Sequence, residues 1–413
     1  MLRIILSLLV FQTGLAQTTK HVLFLGNSYT GVNNLPQLCA DMAASTGNML
    51  IHDNFTPGGY TFEDHWTATV TTTKIQQGNW DFVVLQEQSQ RPALPDFSLS
   101  YMVYEYATLL NNKILQYNPC AETVFYMTWG RKNGDSEYCP YYTPMCTYEG
   151  MDDRIYNCYM TMTQDNTAVV SPVGAVWRYI RTHHPELELY ADDGSHPSLL
   201  GSYAAACTFY TALFRNDPSL ITYEAGLAPE QTSLVKNVVK MLVYEHLSDW
   251  KIGSHDAKAD YTFASTDGIT FEFANASINA QAYLWDFGDG QTSEAINPAH
   301  TFESPGNYTV ILNATNCGQT DIRQQTITVM MQRDDWTNKA TKMYPNPVSD
   351  ALFFETQSNF LSVQLYDVTG KIIIEANNLK DKQSIDVSAL AKGCYLIRIK
   401  TDTDQFTQKL IKQ

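Results

Sequence analysis

Short apolar runs alternate with longer stretches of helical periodicity over residues 17–252. Three runs have the continuous apolar character of strands buried on both faces: 21–26, 81–86 and 123–129. Apolar residues spaced three and four apart predict helices at 34–46, 101–117, 168–183, 199–214 and 229–248. Strands separated by helices predict an α/β domain with a parallel sheet and helices on both faces.

The pattern changes after Trp250. Residues 253–332 consist of short alternating segments rich in Thr, Phe and Tyr with turn residues between them, which predicts a small β-sandwich. The polar segment 333–342 predicts a linker. Residues 343–413 return to strand-like runs, and D-V-T-G at 367–370 marks a hairpin turn. The predicted fold class is therefore α/β followed by two all-β sandwich domains.

The first 16 residues predict a signal peptide, because one Arg precedes a short apolar run and Gly14 and Ala16 are the small residues of a cleavage site. No later stretch is long and apolar enough for a membrane helix, so we expect a soluble, exported protein that is secreted or at the cell surface. The net charge of −16 argues against nucleic acid or an anionic membrane surface as a partner, since no cluster of Lys or Arg stands out against it.

All eight cysteines follow the predicted cleavage site, and export permits disulfides. Cys139 and Cys146 flank a turn-rich loop, P-Y-Y-T-P-M, that a disulfide would staple locally. A structural zinc site is the alternative, but the spacings are not those of paired CxxC motifs. The disulfide pairing stays open at this point.

The first apolar strand runs into G-N-S at 26–28, which places Ser28 at the carboxyl edge of the sheet, where open α/β folds bind ligands. A serine there is a candidate nucleophile if a base, an orienting acid and an oxyanion site lie nearby. The alternative is that Asn27 and Ser28 only turn the chain or cap a helix.

A candidate base and its orienting acid occur together in D-G-S-H at 193–196. Asp193 and His196 share one loop, so the carboxylate can bind the imidazole and fix its tautomer. The alternative is a solvated turn before a helix that begins near Ser198. Donors for an oxyanion are expected in T-P-G-G-Y-T, which contains Gly58 and Gly59, and in Q-E-Q-S at 86–89, although each could be an ordinary turn.

These four pieces, in this order, resemble the SGNH (GDSL-like) hydrolases over roughly residues 20–250. The resemblance implies a three-layer α/β/α, flavodoxin-like domain that cleaves esters, often acetyl groups on sugars. It implies Ser28 as the nucleophile, His196 as the general base and Asp193 as its orienter. The implied oxyanion donors are the backbone N–H groups of Ser28 and Gly59. The Asn usual in this family is absent, and Gln88 is its nearest equivalent by strand register.

Two downstream segments resemble other families. W-D-F-G-D-G at 285–290, N-P-A-H-T-F at 297–302 and P-G-N-Y-T-V at 305–310 resemble PKD-like β-sandwich domains, which usually act as spacers or bind surfaces. Y-P-N-P-V-S-D at 344–350 and L-A-K-G-C-Y-L-I-R-I at 390–399 resemble the type A sorting domain of type IX secretion. That resemblance implies the type IX machinery as a partner and a Bacteroidetes-like source. The alternative is a third adhesive β-module.

The expected function is a secreted serine esterase acting on carboxylic esters without cofactor or metal, with an acylated polysaccharide as the candidate substrate. Four aromatic residues would suit stacking on sugar rings or belong to the core: Tyr29, Tyr60, Trp66 and Trp129. The rival hypothesis is a binding or adhesion protein whose hydrolase-like domain has lost activity, which the missing Asn favours. A third hypothesis places a metal on four residues whose spacing matches no ligand motif: His183, His184, Asp192 and His196.

Overall fold

The computed structural model describes residues 17–330, 341–356, 360–377, 379, 384–401 and 405–413. The predicted signal peptide at 1–16 lies outside these residues, as does most of the predicted linker at 333–342. Two residues assigned to that linker, Thr341 and Lys342, begin a strand. The described residues form two compact units. The first holds those up to Tyr261 with 275–285 and 311–323, and the second holds those of 262–274, 286–310 and 324–413.

A five-stranded parallel sheet forms the centre of the first unit. Its strands are β1 (Thr19–Leu25), β2 (Met49–Phe55), β3 (Phe82–Leu85), β4 (Glu122–Tyr126) and β5 (Val169–Ser171). Their order is β2-β1-β3-β4-β5, the flavodoxin-like order. Every residue of β3 is buried, because helices cover both faces of the sheet. In this topology ligands bind at the carboxyl edge, where the strand order reverses between β1 and β3.

Helices on both faces complete a three-layer α/β/α domain. They are α1 (Ser28–Gly31), α2 (Leu35–Ser45), α3 (Phe62–Thr67), α4 (Thr69–Gln76), α5 (Asp96–Leu99), α6 (Glu105–Tyr117), α7 (Tyr148–Asp165), α8 (Val173–His183), α9 (Leu199–Phe214) and α10 (Pro229–Leu242). Helix α9 packs against α2, α8 and α10, whereas α6 packs against α3, α4 and α7. The flavodoxin-like fold expected from the sequence is confirmed.

One predicted helix is wrong in its first part. Residues 168–183 were expected to be helical, but Val169–Ser171 form β5 and the helix begins only at Val173, after Pro172. The three-residue strand pairs with β4, and a strand that short carries too little periodicity to be seen without its partner. The helix predicted at 229–248 ends at Leu242 and continues as a 3₁₀ turn, Tyr244–Trp250. No pattern had indicated β2 or α7.

Two disulfides lie in the first unit. Cys139 and Cys146 close the turn-rich loop, which resolves the alternatives in favour of the local staple. Cys120, just before β4, is joined to Cys317, with a Cα–Cα distance of 5.3 Å. The cysteines without a disulfide partner among the residues described are Cys39, Cys158, Cys207 and Cys394.

Residues 261–329 form antiparallel sheets. The strands are β6 (Tyr261–Ala264), β7 (Thr270–Asn275), β8 (Ala282–Asp286), β9 (Thr292–Ser293), β10 (Ala299–Thr301), β11 (Gly306–Asn316) and β12 (Gln319–Val329), ordered β10-β7-β6 and β12-β11-β8-β9. Trp285 and Phe287 are buried, as their alternation predicted. Asp289 Oδ1 accepts the N–H of Gln291 at 3.0 Å, and its Oδ2 lies 2.7 Å from His300 Nε2. This carboxylate is therefore used to build the turn.

The C-terminal segment is also antiparallel. Its strands are β13 (Thr341–Tyr344), β14 (Ala351–Thr356), β15 (Phe360–Tyr366), β16 (Ile372–Asn377), β17 (Ser384–Asp386), β18 (Gly393–Thr401) and β19 (Gln405–Lys412), ordered β13-β14-β17 and β16-β15-β18-β19. Strand β18 buries alternate residues, including Ile397 and Ile399. The predicted hairpin turn joins β15 to β16, with Asp367 Oδ1 accepting the N–H of Thr369 at 2.9 Å. Within the described part of the chain, no helix is long and apolar enough to cross a membrane.

Candidate active site

Ser28 lies immediately beyond the carboxyl end of β1, as the first residue of α1. Asn27 caps this helix: its Oδ1 accepts the N–H of Tyr29 at 3.1 Å. The N–H of Asn27 donates to Gln86 Oε1 at 2.9 Å, which ties the turn to the end of β3. A Cβ atom at Gly26 would lie 2.5 Å from Thr30 Oγ1 and 2.6 Å from Gln86 Oε1, so a larger residue would displace the side chains that hold the turn. Asn27 thus caps the helix, as the alternative interpretation predicted, and the same turn places Ser28 at the carboxyl edge of the sheet. A nucleophilic role for Ser28 stays a prediction.

The structure brings Ser28, His196 and Asp193 together. His196 Nε2 lies 2.8 Å from Ser28 Oγ, and its Nδ1 lies 2.5 Å from Asp193 Oδ2. The other oxygen of Asp193 accepts the N–H groups of Ser195 and His196, each at 2.9 Å. This geometry allows a hydroxyl to pass its proton to an imidazole that a carboxylate holds in one tautomer.

Hydrogen bonds keep the Asp193 carboxylate ionised. Partial burial raises its pKa, but the hydrogen bonds from the His196 ring and from the N–H groups of Ser195 and His196 outweigh that effect and lower the pKa to about 2. An ionised carboxylate at this position favours the His196 tautomer that carries its proton on Nδ1. Nε2 is then free to accept a proton from Ser28.

Buried aromatic residues support the His196 loop. The Tyr29 hydroxyl lies 2.6 Å from Ser195 Oγ, and Trp129 Nε1 donates to the Ser195 carbonyl oxygen at 3.1 Å. The rings of Tyr29 and Trp129 stack with centroids 5.0 Å apart, and Trp129 stacks on Trp177 at 3.6 Å. Tyr29 is 3% exposed and Trp129 fully buried. For Tyr29 and Trp129 this burial supports a place in the core and not sugar stacking, whereas Tyr60 and Trp66 are half-buried.

The glycine loop lies beside the serine turn. The Tyr60 carbonyl oxygen accepts a hydrogen bond from Asn27 Nδ2 at 2.9 Å, so the residue before Ser28 is tied to the residue after Gly59. Gly59 has a φ of +72°, and a Cβ at Gly58 or Gly59 would meet no atom within 4 Å. Within residues 17–330, the backbone N–H groups of Ser28 and Gly59 have no hydrogen-bond partner. Both remain available to a ligand.

The structure places Gln88 differently from its predicted role. Its Nε2 donates to Gln90 Oε1 at 2.8 Å, and its Oε1 accepts the N–H of Gln90 at 2.8 Å, so the side chain folds back over its own loop. The amide that contacts the serine turn belongs to Gln86, whose Oε1 also accepts from Thr30 Oγ1 at 2.9 Å. The alternation used to predict these directions stops where β3 ends, at Leu85. A donor role for Gln88 stays a prediction.

A histidine that the sequence analysis did not single out also braces the serine turn. His65 is buried, with Nε2 2.9 Å from the Gly26 carbonyl oxygen and Nδ1 2.9 Å from Thr71 Oγ1. Burial lowers the pKa of His65 to about 4, so the ring is neutral at pH 7. The one available signal was its place on α3, directly after the glycine loop.

The residues considered as metal ligands include two histidines that bind different partners. His196 belongs to the group just described, whereas His183 at the end of α8 has Nδ1 3.0 Å from the Tyr179 carbonyl oxygen and stacks on the Tyr179 ring. In the described ranges, no group of three or more His, Cys, Asp or Glu side chains is arranged to hold a metal ion.

Comparison with known families identifies the two C-terminal segments. Residues 254–331 match the PKD domain family, and residues 342–413 match the secretion system C-terminal sorting domain. The pre-pro-metalloprotease PrtV of Vibrio cholerae is 46% identical over 52 residues, which are 12% of this chain and 6% of that protein. The chain thus spans only a small fraction of this relative.

Solved structures resemble the N-terminal part. A DUF4886 family protein from Bacteroides uniformis is 18% identical, covering 55% of this chain and 95% of that one, with a TM-score of 0.47. A candidate SGNH hydrolase from Slackia heliotrinireducens is 26% identical, covering 47% of this chain and 98% of that one, with a TM-score of 0.40. The chain therefore joins a flavodoxin-like α/β/α domain to a PKD domain and a secretion system C-terminal sorting domain, which indicates an exported protein that is secreted or held at the cell surface.

Proposed function

We propose that the α/β/α domain, which we place at residues 17–252, is a serine hydrolase that cleaves carboxylic esters. Ser28 is the nucleophile, His196 the general base and Asp193 the group that orients it. The observation that supports this most is the unbroken hydrogen-bonded series from Ser28 through His196 to Asp193 at the carboxyl edge of the sheet.

In the proposed reaction, Ser28 Oγ attacks the carbonyl carbon of the ester while His196 Nε2 takes its proton. The oxyanion that forms accepts hydrogen bonds from the backbone N–H groups of Ser28 and Gly59. When the tetrahedral intermediate collapses, the bond to the alcohol breaks and His196 returns the proton to the leaving oxygen. Water then attacks the acyl-enzyme by the same route, and the carboxylic acid and free Ser28 are restored.

The exposure of the site suits an ester on a large molecule. The side chains of Asp193 and His196 are 49% and 34% exposed, and the space around Gly58 and Gly59 is open. A polymer can approach such a site without a conformational change. We infer short acyl esters, acetyl foremost, on an extracellular polysaccharide as the substrate.

Labelling with a fluorophosphonate, which reacts with activated serines, tests this proposal. The full chain should gain one covalent adduct, located at Ser28 by peptide mass spectrometry. The Ser28→Ala protein should gain none. A folded wild-type chain that takes up no label would contradict the proposal and favour the rival function, a binding protein on an inactive hydrolase scaffold.

A further inference from the structure

Glu87 is a buried carboxyl group next to the proposed site that the reaction does not use. It follows β3 by two residues, and its side chain is fully buried. Its own backbone is fixed from both sides: its N–H donates to the Tyr159 hydroxyl at 3.2 Å, and its carbonyl oxygen accepts from Gln86 Nε2 at 2.5 Å. Burying a carboxyl group is costly unless its hydrogen bonds repay it.

The carboxyl group of Glu87 links two loops. Its oxygens accept the N–H of Phe62 at 3.1 and 3.2 Å, and Oε1 accepts the N–H of Gln88 at 2.6 Å. Phe62 is the first residue of α3 and follows the glycine loop directly. The loop that contains Gly59 is therefore held at two points, by Asn27 at Tyr60 and by Glu87 at Phe62.

This second point of attachment matters because the two glycines of the loop have no side chain to pack, although Tyr60 beside them packs on Phe55 and His65. The space around Gly58 and Gly59 is open, whereas Phe62 is fully buried. An oxyanion donor is effective only if its position is fixed before the reaction begins. Both hydrogen bonds, at Tyr60 and at Phe62, follow Gly59 in the chain, and the position of the Gly59 N–H relative to Ser28 depends on them.

We propose that Glu87 is a positioning residue for the oxyanion site, which holds the Gly59 N–H in place through the backbone of Phe62. This inference rests on the proposed function. Glu87 is fully buried, so it acts through the backbone of Phe62 and not on the substrate directly. Burial raises the pKa of Glu87 to about 8, against the opposing effect of the N–H groups of Gln88 and Phe62.

The test compares three variants of the full chain in the hydrolysis of p-nitrophenyl acetate, with rates expressed per serine titrated by a fluorophosphonate. Glu87→Ala removes both acceptors. Glu87→Gln has nearly the same volume and retains one carbonyl oxygen. Glu122→Gln is the matched control, because Glu122 is a half-buried carboxyl at the opposite, amino end of β4 whose pKa burial raises to about 7.

Glu87→Ala should lower kcat roughly 10²-fold with KM changed by less than about twofold, since a misplaced oxyanion donor affects the transition state. Glu87→Gln should recover part of that loss, and Glu122→Gln should retain the wild-type kcat. A merely structural role would reduce the number of titratable serines and leave kcat per serine unchanged.

The inference is overturned if kcat per titrated serine is unchanged in Glu87→Ala, or falls equally in Glu122→Gln. If Glu87→Ala does not fold, the test rests on Glu87→Gln. An unchanged kcat in that variant overturns the inference. A wild-type chain that neither hydrolyses the ester nor takes up the label defeats the proposed function itself, and this inference with it. Wild-type activity with unaffected Glu87 variants defeats the inference alone.

Discussion

The carboxylate of Asp193 is held in one orientation although the residue is exposed. Three hydrogen-bond donors surround its carboxylate, two from the backbone and one from His196. The backbone donors fix the carboxylate itself, so it in turn fixes the imidazole ring. The three-residue spacing predicted that the side chains of Asp193 and His196 can form a hydrogen bond. It did not predict the turn whose backbone N–H groups hold the carboxylate in place.

Asp193→Asn should keep the fold and lower kcat on the order of 10⁴-fold at pH 7, because an amide favours the wrong imidazole tautomer.

The free energy of unfolding, measured over a series of pH values, provides a second readout of the Asp193 carboxylate. The folded pKa of about 2 lies below the ordinary aspartate pKa of 3.8, so the carboxylate stabilises the protein above pH 3.8 and this contribution disappears as the pH falls through about 2. Stability of the wild type relative to Asp193→Asn should decrease over that window. Equal kcat values at pH 7 would contradict the orienting role.

For the aromatic residues near the site, the sequence does not show whether the side chains are buried in the core or exposed to a ligand. Tyr29 and Trp129 occur beside the predicted catalytic residues, where either sugar binding or packing is plausible chemistry. Both side chains are buried, so they pack in the core. The burial of Trp129 depends on α8, because Trp177 of that helix stacks on its ring. A contact between residues 48 positions apart leaves no local pattern.

At the scale of elements, the end of β3 determines which glutamine contacts the serine turn. Gln86 accepts from Asn27 and Thr30, whereas Gln88 pairs with Gln90. We therefore expect Gln86→Ala to lower kcat roughly 10²-fold by loosening the turn that presents Ser28.

Gln88→Ala is the matched comparison in the same assay. If its side chain leaves Gln90 and donates to the oxyanion, kcat should fall by roughly 10²- to 10³-fold at constant KM. If it stays folded over its loop, kcat should change little. A near-neutral Gln86→Ala would show that the turn does not depend on this amide.

Elements with long periodic runs could be predicted from the sequence, and those that depend on a partner could not. The helix over 199–214 was predicted with its observed bounds, because its largely apolar run of 16 residues is too long for a strand. Strand β5 was missed because its identity comes from pairing with β4. The candidate triad could be predicted because Ser28 follows a strand end and Asp193 and His196 share one loop, whereas the supports Glu87 and His65 act only through residues brought near by folding.

At the scale of the molecule, the Cys120–Cys317 disulfide crosses from the start of β4 to the turn after β11. It lies at the amino edge of the parallel sheet, away from Ser28. Its sequence separation of 197 exceeds the separation of 7 between Cys139 and Cys146. A longer closed loop restricts the unfolded chain more strongly.

Replacing Cys120 and Cys317 together by Ser should lower the free energy of unfolding by about 5 kcal/mol, against about 2–3 kcal/mol for the Cys139 and Cys146 pair. The ester kcat should be unchanged in the first variant, because no proposed catalytic group lies at that edge. Urea unfolding under non-reducing conditions measures the difference. A loss of kcat without a loss of stability would mean that residues after 252 contribute to the site.

Steady-state hydrolysis of p-nitrophenyl acetate by the full chain, with and without Ser28→Ala, tests the proposed esterase activity most directly. The wild type should show saturable turnover, and Ser28→Ala should lower kcat by roughly 10⁴-fold or more, since a nucleophile cannot be replaced by its neighbours. Circular dichroism of both proteins establishes that the fold is the same. Equal turnover by the two proteins, or no turnover by a folded wild type, would contradict the proposed serine esterase function.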